Sequence, residues 1–207
     1  MATEHNIKGI LLDYDGVMNE GGDNDPFARL ALAAEITKDA AKEILWPLWP
    51  GYIRGKLPEL ALWSTIEQQI GHAVPLAARD IWSHAADLQP DPRMVAFVQH
   101  LRNDRKLPVG LLSNVTPTTK DEMLETPAYN GFSFVDLSSE TGLAKPEDEA
   151  YLHALAQFPP GTRPQEVIFV DDQEERNLTP AKNLGFIVVK AVSIPQTIAT
   201  VSELIAA

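Results

Sequence analysis

The stretch Gly9–Val17, GILLDYDGV, is an apolar run that ends in two aspartates one residue apart, with a glycine directly behind them. Its near-continuous apolar character from Ile7 to Leu12, bounded by Gly16, predicts a strand buried on both faces of a sheet. Asp13 and Asp15 then stand at the C-terminal end of that strand, where open α/β sheets place their ligands. Alternation along an extended chain puts both carboxylates on one side and Tyr14 on the other. Two converging carboxylates repel, which calls for a cation, a shared proton, or a turn at Gly16 that separates them. A polar Asp-x-Asp-Gly turn that does no more than close the strand has the same sequence.

The 207 residues suffice for one large domain, or one domain with a sizeable insertion, and 44% of them are hydrophobic, as in ordinary globular chains. The 17 basic and 29 acidic residues leave a net charge of −12, which argues against nucleic acid or an anionic membrane surface as partner. An acidic protein that handles an anion needs local positive charge or a metal. With no cysteine there is no disulfide framework, thiolate chemistry or zinc–thiolate site. No apolar run reaches membrane-spanning length, and MATEHNIKG lacks the form of a signal peptide, so the expected location is the cytoplasm. There is no internal repeat, no GxxxxGK[ST] loop and no GxGxxG, so nucleotide-driven and dinucleotide chemistry find no support.

After a polar, glycine-rich loop, Asp25-Pro26 predicts a cap and first helical residue, and Thr37 caps a second helix running to Trp46. The Trp-Pro pairs and glycines of WPLWPGYIRGKLP are expected to break any helix. Helices are predicted over Pro58–Ile70, closed by Gly71, and over Pro75–Leu88. Residues 20–88 thus read as an all-helical insertion. Asp91-Pro92 opens an amphipathic helix, and strands follow at Pro108–Leu112, Phe132–Leu137, Val167–Val170 and Phe186–Lys190. Between and after them, helices are predicted at about Glu147–Phe158, Asn177–Leu184 and Pro195–Ile205. Strands alternating with helices imply a parallel α/β sheet with right-handed crossovers.

Polar groups follow each of the first four strands: Asp13 and Asp15, Ser113 and Asn114, Lys145-Pro146, and Asp171-Asp172. Taken singly, each is an ordinary turn or helix-start sequence; their order is what singles them out. In that order they resemble the haloacid dehalogenase superfamily, whose four motifs match here as LLDYDGV, LLSN, AKP and VIFVDDQEERN. The resemblance implies a three-layer, Rossmann-like α/β core over residues 1–19 and 89–207 with a helical cap domain over 20–88. The cap segment GKLPELALWSTIEQQIG and the DDxxxN form of the fourth motif are similar to the branch containing glucose-1-phosphate phosphatases and the phosphatase domain of epoxide hydrolases.

The resemblance also implies roles. Asp13 becomes the nucleophile that forms an aspartyl-phosphate, and Asp15 the acid that protonates the leaving alcohol and then the base that activates water. At an effective dielectric near 20, two unit charges about 4 Å apart repel by about 4 kcal/mol. That repulsion would slow carboxylate attack on a phosphate roughly a thousandfold. The resemblance answers it with Mg2+ on Asp13, the Asp15 backbone carbonyl and Asp171, with Asp172 holding its waters. Ser113 and the Asn114 backbone N–H are then phosphoryl donors, Lys145 neutralises the phosphoryl group and nucleophile, and Asn177 orients neighbouring site groups. In the cap, Trp49, Tyr52 and Arg54 are candidates to close over substrate, although tryptophans in such a unit also build its core. The expected function is hydrolysis of a small phosphorylated metabolite such as a sugar phosphate. A phosphomutase, a haloacid dehalogenase of the same superfamily and a non-catalytic phosphate-binding module are the alternatives.

Overall fold

The computed structural model describes residues 6–21, 25–83 and 89–206. Five strands, β1 (Gly9–Leu12), β2 (Val109–Ser113), β3 (Phe134–Leu137), β4 (Val167–Asp171) and β5 (Ile187–Lys190), form one parallel sheet in the order β3-β2-β1-β4-β5. The central strand β1 pairs on one side with β2, Ile10 opposite Val109, and on the other with β4, Leu12 opposite Val170. Strand order reverses between β1 and β4, the position at which doubly wound sheets open a crevice at their carboxyl ends. All four residues of β1 and all five of β2 and β4 are buried, which explains their unbroken apolar runs.

Helices cover both faces of the sheet. One apolar cluster joins Ile10, Leu12, Val109 and Ile168 to α6 (Pro92–Asn103) and α11 (Ile194–Ala206). The other joins Leu11, Leu112 and Phe169 to α9 (Asp148–Ala156) and α10 (Thr179–Asn183). Between β1 and α6 lie α1 (Pro26–Ala33), α2 (Lys38–Leu45), α3 (Trp49–Tyr52), α4 (Glu59–Ile70) and α5 (Leu76–Ser83). Their cluster, which includes Leu30, Leu45, Tyr52, Leu62, Trp63 and Trp82, is separate from the two that flank the sheet. The sequence caps act as expected: Asp25 accepts from the Phe27 and Ala28 backbone N–H groups, and Thr37 accepts from Ala40.

Several elements differ from expectation. The Trp-Pro segment contains the helical turn α3, in which Pro50 occupies an early position that needs no N–H donor. Helix α7 (Pro117–Glu125), capped by the Thr116 hydroxyl, fills a stretch for which no element was predicted, and the short α8 (Ser138–Thr141) occupies an expected loop. The helix expected from Asn177 instead starts as a π-type turn over Glu174–Leu178, with Leu178 donating to the Gln173 carbonyl at 3.1 Å. Pro180 supplies no N–H for the Arg176 carbonyl four residues earlier, so ordinary helical pairing fails there. The predicted end of α5 at Leu88, the domain boundary at 88–89, the tip of the loop after Asn19 and the first five residues lie outside the described residues. No helix among the described residues is long and apolar enough to cross a membrane.

Candidate active site

The loops leaving β1, β2 and β4 meet with the loop after α8 at the sheet's carboxyl edge. Lys145 is the hub, 2% exposed, with its Nζ 2.8 Å from Asp13 and 2.7 Å from Asp171. The Phe169 ring lies beneath the ammonium, its centroid 5.6 Å away. The lysine backbone is fixed by Asn114: the Asn114 side-chain N–H donates to the Lys145 carbonyl at 2.7 Å, and the Lys145 N–H donates to the Asn114 side-chain oxygen at 2.9 Å. An asparagine at the tip of β2 therefore aims a lysine from a loop 31 residues later. The Lys145-Pro146 peptide bond is cis.

Asp171, wholly buried, is positioned by two further groups besides the lysine. Asn177 Nδ2 stands 3.0 Å from each of its carboxylate oxygens, and the Gln173 backbone N–H donates to it at 2.8 Å. Tyr151 in turn donates to the Asn177 carbonyl at 2.9 Å. The wide turn over 174–178 is what folds Asn177 back onto the aspartate preceding it. Gly16 meets the same corner from β1. Its φ is +71°, and a Cβ there would lie 2.9 Å from the Asp172 carboxyl, so both conformation and space require glycine.

One oxygen from each of Asp13, Asp171 and Asp172 falls within 4.8 Å of the others. Burial pushes the Asp13 carboxyl up to about 7, with Asp171 adding to the effect and Lys145 opposing it. Burial and Asp171 also raise Asp172. Burial acts against the Lys145 charge, yet Asp13 and Asp171 hold its pKa above the ordinary value. One lysine thus leaves a corner of three carboxylates short of positive charge. An all-oxygen, anionic donor set of this kind fits a hard divalent cation.

Asp13, Asp15, Ser113, Asn114, Lys145 and Trp49 line a single cavity of ≈ 210 Å³, with Asn177 at its wall. The other two cap candidates sit elsewhere. Tyr52 is fully buried, stacked on Trp82 at 5.7 Å between centroids, and belongs to the core of the helical insertion. Its expected place against substrate is corrected accordingly. Arg54 pairs with Glu147 at 2.6 Å and lines a neighbouring cleft of ≈ 250 Å³ with Pro146 and Arg176.

A family model for haloacid dehalogenase-like hydrolases matches residues 7–185. The chain belongs to the haloacid dehalogenase-like hydrolase family. Among curated relatives, a glyceraldehyde 3-phosphate phosphatase from Methanocaldococcus jannaschii is 27% identical over 104 residues, 50% of this chain and 44% of that protein. The chain therefore matches less than half the length of that relative. A predicted HAD-like family hydrolase from Porphyromonas gingivalis superposes with a TM-score of 0.79 at 21% identity, covering 98% of this chain and 99% of that one. A HAD family enzyme from Bacteroides thetaiotaomicron, solved with magnesium and inorganic phosphate, gives 0.68 at 22% identity over 90% and 96%. At these identities the two structures show a shared fold.

This haloacid dehalogenase-like chain also brings forward groups that the sequence reading did not single out. Gln173 and Arg176 line the cavity with the expected residues, and Arg29 lines an adjoining one. For Arg29 a signal was present: it is the only charged residue in the helix PFARLALA. Gln173 and Arg176 lie inside the fourth motif, where only the loop geometry tells which side chains turn inward.

Proposed function

We propose that this chain is a Mg2+-dependent hydrolase of small phosphomonoesters that works through an aspartyl-phosphate on Asp13. The observation that carries the proposal is the buried Asp13–Lys145–Asp171 arrangement, with Asp15 on the same cavity wall and Asp172 completing an anionic corner. The similarity to the Methanocaldococcus jannaschii phosphatase and the magnesium and inorganic phosphate in the Bacteroides thetaiotaomicron structure support it. Asp13, Asp171 and Asp172, with the Asp15 backbone carbonyl, would hold the cation. Bound Mg2+ would offset the charge of phosphoryl group and carboxylates.

In the first step an Asp13 carboxylate oxygen attacks phosphorus, the bond from phosphorus to the leaving oxygen breaks, and Asp15 gives that oxygen its proton. In the second, Asp15 takes a proton from water, the water oxygen bonds to phosphorus, and the bond to Asp13 breaks. Ser113 and Lys145 hold the transferring group throughout, and Asn114 acts by fixing the lysine. Halide displacement from carbon would leave Asp15 and the Asp171–Asp172 pair without a task. Residues 20–88 act in this reading as a cap over the cavity mouth, with Trp49 as its contact to substrate.

The test is phosphate release from a panel of phosphorylated metabolites with Mg2+, for wild type and Asp13→Asn. Release by the wild type alone is expected. Full turnover by the variant, or halide release that persists in chelator, would overturn the proposal.

A further inference from the structure

A second cavity of ≈ 160 Å³ adjoins the reaction cavity and shares Asp15, Trp49, Ser113 and Asn114 with it. Lys145 lines only the first. Because the proton donor Asp15 faces both, the second cavity lies where the leaving group departs. Its walls include the apolar Trp82, Val115 and Met123 beside Trp49, and Arg29 is the only basic residue among the described residues that line it.

Arg29 is half-buried, and its one hydrogen-bonded partner among the described residues is the Trp82 backbone carbonyl in the last turn of α5. That bond ties α1 to α5 and accounts for one N–H. Its Nε is buried without a partner, and no carboxylate among the described residues pairs with it. Burial lowers its pKa, the sign of a cation kept out of water without an anion to compensate. A guanidinium with free donors inside a substrate chamber is a fork built for a carboxylate or phosphate. With Arg29 as the one positive charge among the described lining residues and Asp15 on the same wall, a monoanion is matched and a dianion is left half-compensated. The volume is about half of the roughly 300 Å³ at which drug-sized sites begin, so the occupant is a few carbons long.

Resting on the phosphatase reading, we propose that Arg29 determines specificity by binding a carboxylate on the leaving group. The substrate class is then a short phosphorylated carboxylic acid rather than a neutral sugar phosphate.

The test uses two phosphonates that are not turned over, 3-phosphonopropionate and 3-hydroxypropylphosphonate, which differ in their carboxylate and hydroxymethyl ends. Titration calorimetry with Mg2+ should show the wild type binding the carboxylate at least tenfold more tightly. Arg29→Gln should bring that ratio toward one, and Arg29→Lys should keep part of it. Equal affinities in the wild type, no binding of either ligand, or a loss in Arg29→Gln that is the same for both ligands would overturn the assignment. The wild-type ratio needs no variant to fold, and a merely structural arginine would not move it. Because turnover is not measured, failure here is separate from failure of the phosphatase assay.

Discussion

Replacing the proposed nucleophile should stabilise the metal-free protein, and the gain should depend on pH. Burial and Asp171 raise the folded-state pKa of Asp13 to about 7, from an unfolded value near 4. A carboxyl raised on folding binds its proton more tightly in the native state. Its stabilising effect is therefore full below about pH 4 and is lost as pH rises to about 7. At 1.36 kcal/mol per pH unit the complete loss is about 4 kcal/mol, of which about 3 kcal/mol falls between pH 5 and pH 8. Asparagine mimics the protonated carboxyl and does not titrate. In chelator, urea unfolding of Asp13→Asn and wild type should therefore diverge, with the variant gaining about 3 kcal/mol on wild type from pH 5 to pH 8. Added Mg2+ should narrow the gap, since the cation favours the ionised carboxylate. A gap that stays constant across this range, or a variant less stable than wild type at pH 8, would refute the electrostatic account of the site.

Lys145→Met leaves two buried carboxylates facing each other, so phosphate release should fall on the order of a thousandfold and metal-free stability by about 3–5 kcal/mol, both read against wild type. Asn177→Leu removes the two 3.0 Å contacts that orient Asp171. It should weaken Mg2+ binding roughly 10- to 100-fold in a calorimetric titration. Gly16→Ala places a methyl group 2.9 Å from the Asp172 carboxyl at φ +71°, and should cost about 1–3 kcal/mol in denaturant unfolding. Its Mg2+ affinity should fall as well.

The sheet and the polar groups at its carboxyl edge were legible because they rest on local rules. The apolar run before Asp13 forms a strand buried on both faces, and Asp25-Pro26, Thr37 and Asp91-Pro92 begin helices through their own side chains. What escaped reading depends on distant partners. Trp49 and Tyr52 belong to one turn, yet one reaches the cavity and the other is covered by Trp82, which arrives from 30 residues away along the chain. Arg54 is an obvious candidate by type, and its position is decided by Glu147 on the far side of the sequence. Helix α7 went unread because its face is weakly patterned: of its nine residues, PTTKDEMLE, only Met123 is buried. The double hydrogen bond between Asn114 and Lys145 leaves no trace in either local sequence, although it converts two separate motifs into one rigid unit.

The helical insertion keeps its apolar core to itself, and among the described residues its contacts with the loops of the sheet include several polar ones. Ser138 donates to the Ile53 carbonyl, Thr118 to Glu59, and Arg54 pairs with Glu147. Each contributes about 1 kcal/mol or less once water replaces the partner. Contacts of this strength exchange readily for water, so in the cap reading the insertion can shift against the sheet while both apolar cores stay intact. Entry and exit would then wait on that shift, and its rate would set a ceiling on turnover that no improvement at Asp13 can raise.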